Sequence, residues 1–174
     1  GKSTLLNCLG GLLAPTTGNI YIEGFDLYLD EVEAKKRLAF IPDTPLLYPE
    51  LTVIEHHRFI ARAYSVTDFE NRSRSVLEAF NLTDASYHLP HALSRGMRQK
   101  AALSLAFIRE FSVLLLDEPT TSLDLESAAA LKLLLLRHRE RGASILIATH
   151  DPIFANEISE DIWKMERGSI TDHG

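Results

Sequence analysis

At 174 residues the chain has room for one domain with a sizeable core, and 45% apolar content is that of a globular protein. A net charge of -6 without a basic run excludes a general attraction to nucleic acid, so no nucleic-acid partner is expected. The longest apolar runs, 131–136 and 113–116, are far too short to cross a bilayer, and the single Cys8 excludes an intramolecular disulfide framework.

The chain opens on Gly1-Lys2-Ser3-Thr4, and residues 2–9 continue as a helix, in which Cys8 reads as a small buried residue. Gly10-Gly11 and Pro15-Thr16-Thr17-Gly18 end that helix in a loop. Residues 19–22 alternate as a strand that turns at Gly24; residues 31–37 read as a short charged helix and 38–41 as a strand. Pro42, Pro45 and Pro49 mark an extended loop, because proline supplies no donor and restricts its neighbour. Thr52 and Glu55 have the spacing of a capping box that opens a helix to about Tyr64, and 69–80 is another helical run. A loop at 85–93, broken by Pro90, leads to a helix from Gly96 to Arg109. Residues 113–116 form a fully apolar strand, as in the middle of a parallel sheet. A helix over 125–141 stops at Gly142, 144–148 is the next buried strand, and 161–171 reads as a hairpin around Arg167-Gly168. The alternation predicts an α/β domain with a parallel sheet flanked by helices, whereas about 51–95 lacks a strand and reads as an all-helical insertion.

Gly1-Lys2-Ser3 matches the final part of the phosphate-loop motif G-x-x-x-x-G-K-[ST]. With no initiator methionine, the chain is expected to be a piece of a longer gene product whose N-terminal strands and earlier loop glycine lie upstream. In such a loop, backbone N–H groups at a helix N-terminus face the anion, aided by the helix dipole. Lys2 then contacts the β- and γ-phosphates of a nucleotide, and the Ser3 hydroxyl coordinates Mg²⁺. The alternative is a lysine and two hydroxyl residues capping an ordinary helix. Asp117, at the end of four apolar residues, is placed to hold the Mg²⁺ shell, and Glu118 to orient and deprotonate an attacking water. A solvated acidic turn before Pro119 is the bland reading, which the pairing with Gly1-Lys2-Ser3 disfavours. Ser94 and Asp124 both have the form of helix N-caps, and His150 that of a lone histidine after a strand. His56, His57, His88, His91 and His138 show no metal-ligand spacing with Cys8 or one another.

Five segments carry a family resemblance: Gly1-Lys2-Ser3-Thr4, Asp43, Leu93-Ser94-Arg95-Gly96-Met97, Leu114-Leu115-Leu116-Asp117-Glu118-Pro119 and Thr149-His150-Asp151. In this order and spacing they resemble the nucleotide-binding domain of ABC (ATP-binding cassette) ATPases, over essentially the whole chain. The resemblance implies a P-loop NTPase fold as a single domain over 1–174, with a helical signature subdomain at about 51–95 and with ATP and Mg²⁺ as cofactors. It implies nucleotide contacts from Gly1, Lys2, Ser3 and Thr4, the last near the α-phosphate. Ser94 and Gly96 then belong to the signature, which meets the γ-phosphate of ATP bound to the opposite subunit. Thr121-Ser122-Leu123-Asp124 matches the D-loop at the dimer seam, and His150 the switch histidine that senses the γ-phosphate.

Two departures stand out. Asp43 occupies the place of the family's Q-loop glutamine; it keeps an oxygen for Mg²⁺ or water, loses the amide donor and adds negative charge. Arg95 and Met97 replace the first glycine and the glutamine of Leu-Ser-Gly-Gly-Gln, whose phosphate contacts need Ser94 and backbone. Both departures look like subunits partnered with separately encoded ABC-2-type permeases. The implied assembly is two copies, as homodimer or heterodimer, sandwiching two ATP molecules head to tail. It would sit at the cytoplasmic face of the membrane, held there by a membrane-spanning permease. The other reading is a non-transport ABC ATPase acting on ribosomes or nucleic acid; its DNA-maintenance types insert coiled coils or zinc modules, and here the interval is compact without a Cys pair. A GTPase would need an Asn-Lys-x-Asp segment, which does not occur. Residues 1–174 alone are expected to bind ATP weakly and to hydrolyse it negligibly until the upstream amides and adenine platform are restored.

Overall fold

The apolar run that ends at Asp117 becomes the centre of a three-stranded parallel sheet. The computed structural model describes residues 1–159 and 161–173; the expected domain bounds also take in Glu160 and Gly174, which lie outside the described residues. In chain order the elements are α1 (Lys2–Leu9), β1 (Tyr21–Ile22), β2 (Phe25–Asp26), α2 (Glu31–Arg37), β3 (Leu38–Ile41), α3 (Val53–Ala63), α4 (Phe69–Ala79) and α5 (Arg95–Ala106). They continue as β4 (Val113–Asp117), α6 (Leu125–Glu140), β5 (Ser144–Ala148), α7 (Pro152–Ile158), β6 (Trp163–Glu166) and β7 (Ser169–His173). Short 3-10 turns cover Thr83–Ala85 and Pro90–Ala92.

The described residues group into two compact units. The first takes Gly1–Asp43, Phe111–Thr120 and Leu135–Gly174. Its sheet runs β3-β4-β5, all parallel, with Ile41 opposite Leu116 and Asp117 opposite Ala148. Leu114, Leu115 and Leu116 are buried, as a central strand covered on both faces requires. Leu6 of α1, Ala34 of α2, Leu115 and Ala148 share one apolar cluster with Ile22, Leu27 and Leu38. That cluster fixes α1, and with it Lys2, against the sheet. Two antiparallel hairpins, β1-β2 and β6-β7, complete the unit.

The second unit takes Thr44–Glu110 and Thr121–Leu134, so it extends past 51–95, and its elements are all helical. Thr52 and Glu55 make both bonds of the capping box, the Thr52 N–H donating to Glu55 Oε2 at 2.8 Å and the Glu55 N–H to Thr52 Oγ1 at 3.4 Å. Helix α5 ends at Ala106, short of Arg109, because Phe107 and Ile108 donate to the carbonyls of Ser104 and Leu105 and tighten the chain into a turn. Its Ser94 cap accepts the Met97 N–H at 3.1 Å.

His57, fully buried on α3, links three helices. The Ser104 hydroxyl of α5 donates to the Ala101 carbonyl at 2.6 Å, so it accepts from His57 Nε2 at 2.7 Å, and Nδ1 then accepts from Ser73 of α4 at 2.8 Å. Burial, with a smaller contribution from the nearby His56 charge, pushes the imidazole down to about 3 from 6.5. A lowered folded-state value means that this neutral ring stabilises the fold fully above pH 6.5, and the stabilisation is lost as pH falls toward 3. Urea unfolding at a series of pH values should therefore show wild type losing stability faster than His57→Gln across that window. Parallel pH curves for the two proteins would contradict the buried neutral imidazole.

Candidate nucleotide site

The C-terminal ends of the three parallel strands deliver the chemistry. This is the edge at which open α/β sheets bind ligands. Asp43 follows β3, Asp117 and Glu118 end β4, and Thr149 and His150 follow β5. Glu118 adopts φ 47, in the left-handed region uncommon for a residue with a side chain. Its N–H donates to the Ala148 carbonyl at 2.8 Å, so the ladder between β4 and β5 runs on through the turn. Outliers of this kind cluster at functional sites.

The Glu118 carboxylate is gripped on both oxygens. Oε2 accepts the His150 N–H at 3.1 Å; Oε1 lies 3.7 Å from Lys2 Nζ and 3.4 Å from His150 Nε2. Lys2 Nζ donates to the Thr149 carbonyl at 2.6 Å and stands 3.4 Å from His150 Nδ1. A cation from the first turn of α1, a carboxylate from β4 and an imidazole from the end of β5 thus meet at one point. His150 is the open side of this group, with its side chain 83% exposed.

Further groups at the start of α1 and at the ends of β3 and β4 make no such bonds among the described residues. Gly1 caps α1 with no side-chain bond, and the Leu5 N–H is the first in the helix to find a carbonyl, that of Gly1. Among the described residues, the amides of Lys2, Ser3 and Thr4 have no carbonyl partner and are open to an anion. Ser3, Thr4 and Asp43 are exposed, and their side chains make no hydrogen bond or ion pair among the described residues. Asp117 is buried and likewise without such a partner. Among the described residues, no three His, Cys, Asp or Glu side chains are grouped so as to hold a metal ion. A buried carboxylate at the end of β4 and a hydroxyl in the first turn of α1 are donor types that suit Mg²⁺, which takes few protein ligands and completes its shell with phosphate and water.

In the second unit, Ser94, Gly96 and Asp124 are tied together locally. A Cβ on Gly96 would stand 2.6 Å from the Ser122 carbonyl oxygen, so the close approach requires glycine. Asp124 Oδ2 pairs with Lys100 Nζ at 2.5 Å and Oδ1 accepts the Ser127 N–H at 2.8 Å. Lys100 first, then the Ser127 amide, hold the Asp124 carboxyl well below the usual carboxylate range. Two partners escaped the sequence: the Thr149 carbonyl, which as backbone leaves no residue signal, and Lys100, visible only as part of the polar continuation after Met97.

The model of the ABC transporter family matches residues 1–121. The SkfA peptide export ATP-binding protein SkfE of Bacillus subtilis is 34% identical over 172 residues, 98% of this chain and 71% of that protein. Among solved structures, an ATP-binding subunit of an ABC transporter superposes with a TM-score of 0.94 at 33% identity, covering 100% of this chain and 73% of that one. The ATP-binding cassette MJ0796, in a dimeric post-hydrolysis state bound to ADP and Pi, gives a TM-score of 0.87 at 28% identity, covering 100% of this chain and 80% of that one. A helix-start lysine beside an acid-ended central parallel strand defines the class, a P-loop nucleoside triphosphatase. The chain belongs to the ABC transporter family, whose cassettes bind and hydrolyse ATP.

Proposed function

We propose that the chain is the ATPase subunit of a transporter, which pairs head to tail with a second copy and drives a separate membrane-spanning permease from the cytoplasmic face. The observation that carries this reading is the meeting of Lys2, Glu118 and His150 beside the open amides of α1. The amides and Lys2 would bind the phosphates. Phosphate oxygens compete for the ammonium that the Thr149 carbonyl and Glu118 now hold, which frees the carboxylate to face a water. The His150 N–H keeps Glu118 aimed while it takes the proton of that water. Asp117, Ser3 and Asp43 would hold Mg²⁺, which neutralises charge on the β- and γ-phosphates. Ser94 and Gly96 of the second copy would supply a second amide cradle for the γ-phosphate.

Support for the transporter role comes from the relative SkfE, itself named an export ATP-binding protein, and support for pairing from the dimeric cassette. Among the described residues no helix is long and apolar enough to cross a membrane, which fits a permease on another chain or segment. Because each site needs Ser94 of the other copy, specific activity should rise with protein concentration until dimers saturate, and Ser94→Ala should lower the plateau. Specific activity that stays constant from the monomeric range upward, with Ser94→Ala unaffected, would overturn the shared site.

A further inference from the structure

Lys100 lies on the buried face of α5, with its side chain 10% exposed, beside the buried Gln99, Ala101 and Leu103. An ammonium in such a place is unfavourable unless paired, and its pair is Asp124, which the chain reaches only after β4 and the catalytic turn. The other Asp124 oxygen caps the first turn of α6 through the Ser127 N–H. Two residues before Asp124, the Ser122 carbonyl sits in the space left by the missing Cβ of Gly96, and Ser122 itself has φ 69, in the left-handed region. Residues 122–124 are therefore gripped by α5 at two points one helical turn apart, Gly96 and Lys100.

We propose that Lys100 is a positioning residue for ATP hydrolysis, fixing residues 122–124 through Asp124 in the shape that the second copy meets at the dimer seam. This rests on the transporter-ATPase reading above. Asp124 then acts by holding that shape and not by touching nucleotide, since each of its oxygens already has a partner within the chain. Its depressed carboxyl, lowered chiefly by Lys100, is the electrostatic trace of the same tie.

Lys100→Met keeps the apolar stem and removes the charge. It should fold cooperatively, with kcat lower by on the order of ten- to a hundred-fold and KM for ATP within about threefold, the pattern of misplacement rather than lost binding. Lys100→Arg should recover most of kcat. In the same proteins, nuclear magnetic resonance of the Asp124 carboxyl carbon should show its titration moving up toward the usual range in Lys100→Met and staying low in Lys100→Arg. Should Lys100→Met not fold, Asp124→Asn retains a good helix cap, removes the charge and should show the same fall in kcat. A purely structural tie would lower thermal stability yet leave kcat per folded molecule at the wild-type value, which overturns the proposal; so does an equal loss in Lys100→Met and Lys100→Arg. All variants are measured in the full-length protein with its upstream loop; full-length wild type without any ATP turnover would remove the ATPase reading and this proposal together. Normal wild-type turnover with an unaffected Lys100→Met removes this proposal alone.

Discussion

Replacing Glu118 with glutamine in the full-length protein should lower steady-state ATP turnover by on the order of 10²–10⁴, the usual share of a general base, and leave ATP affinity within a few-fold. The substitution is nearly isosteric. A glutamine oxygen can still accept the His150 N–H, so the loop that carries residue 118 keeps its φ 47 geometry and its bond to Ala148. What disappears is the proton acceptor, together with the weak ion pair to Lys2 at 3.7 Å. Losing that pair leaves the ammonium freer for phosphate, so affinity should hold or improve slightly while chemistry fails. A kcat close to wild type would exclude Glu118 as the base. A parallel loss of affinity and kcat would place it in phosphate binding instead.

Gly96→Val should be the most damaging single change in the second unit. Its Cβ would lie 2.6 Å from a backbone oxygen, that of Ser122, and backbone cannot rotate away as a side chain can. Overpacking of this kind costs about 1–3 kcal/mol. Thermal unfolding should register that cost as a lower midpoint. The larger consequence is positional, because Ser122 must move and residues 122–124 with it. Turnover is expected to fall by on the order of a hundred-fold, as a misplacement of about an ångström does. Gly96→Ala should do almost the same, since the clash begins at Cβ. A variant with wild-type turnover would mean that the approach of Ser122 to α5 has no part in the reaction.

Much of this arrangement could be read from residue patterns, and the reasons are local. Helix α2 and strand β3 were legible because a charged run, Glu31 to Arg37, gives way abruptly to four apolar residues. Lys2, Glu118 and His150, which meet in space, could each be singled out because each sits in a short contiguous motif at an element boundary. Helix α7 was not anticipated, although Asp151 caps it through the amides of Ile153 and Phe154 and Pro152 occupies its first turn. Seven residues are too few to display a helical period. The first strand shrank from the expected 19–22 to Tyr21–Ile22, although the Leu27 N–H donates to the Ile20 carbonyl in the register of the β1-β2 ladder and Asn19 bonds Asp26. In the sequence Asp124 reads as a helix cap and D-loop residue with nothing to tie it to Lys100; only the burial of α5 reveals that they are partners. The unusual φ of Glu118 is also silent in the sequence, where Glu118 shows only as an acid after a strand.

The central claim is that Lys2, Glu118 and His150 form an ATP-hydrolysing site completed by a second copy. Sedimentation of full-length Glu118→Gln with and without Mg-ATP, with the bound nucleotide extracted and identified afterwards, tests it most directly. The predicted result is a mass that doubles only with Mg-ATP, carrying unhydrolysed ATP. A protein that stays at its single-copy mass with Mg-ATP and releases ADP at the wild-type rate would contradict the account.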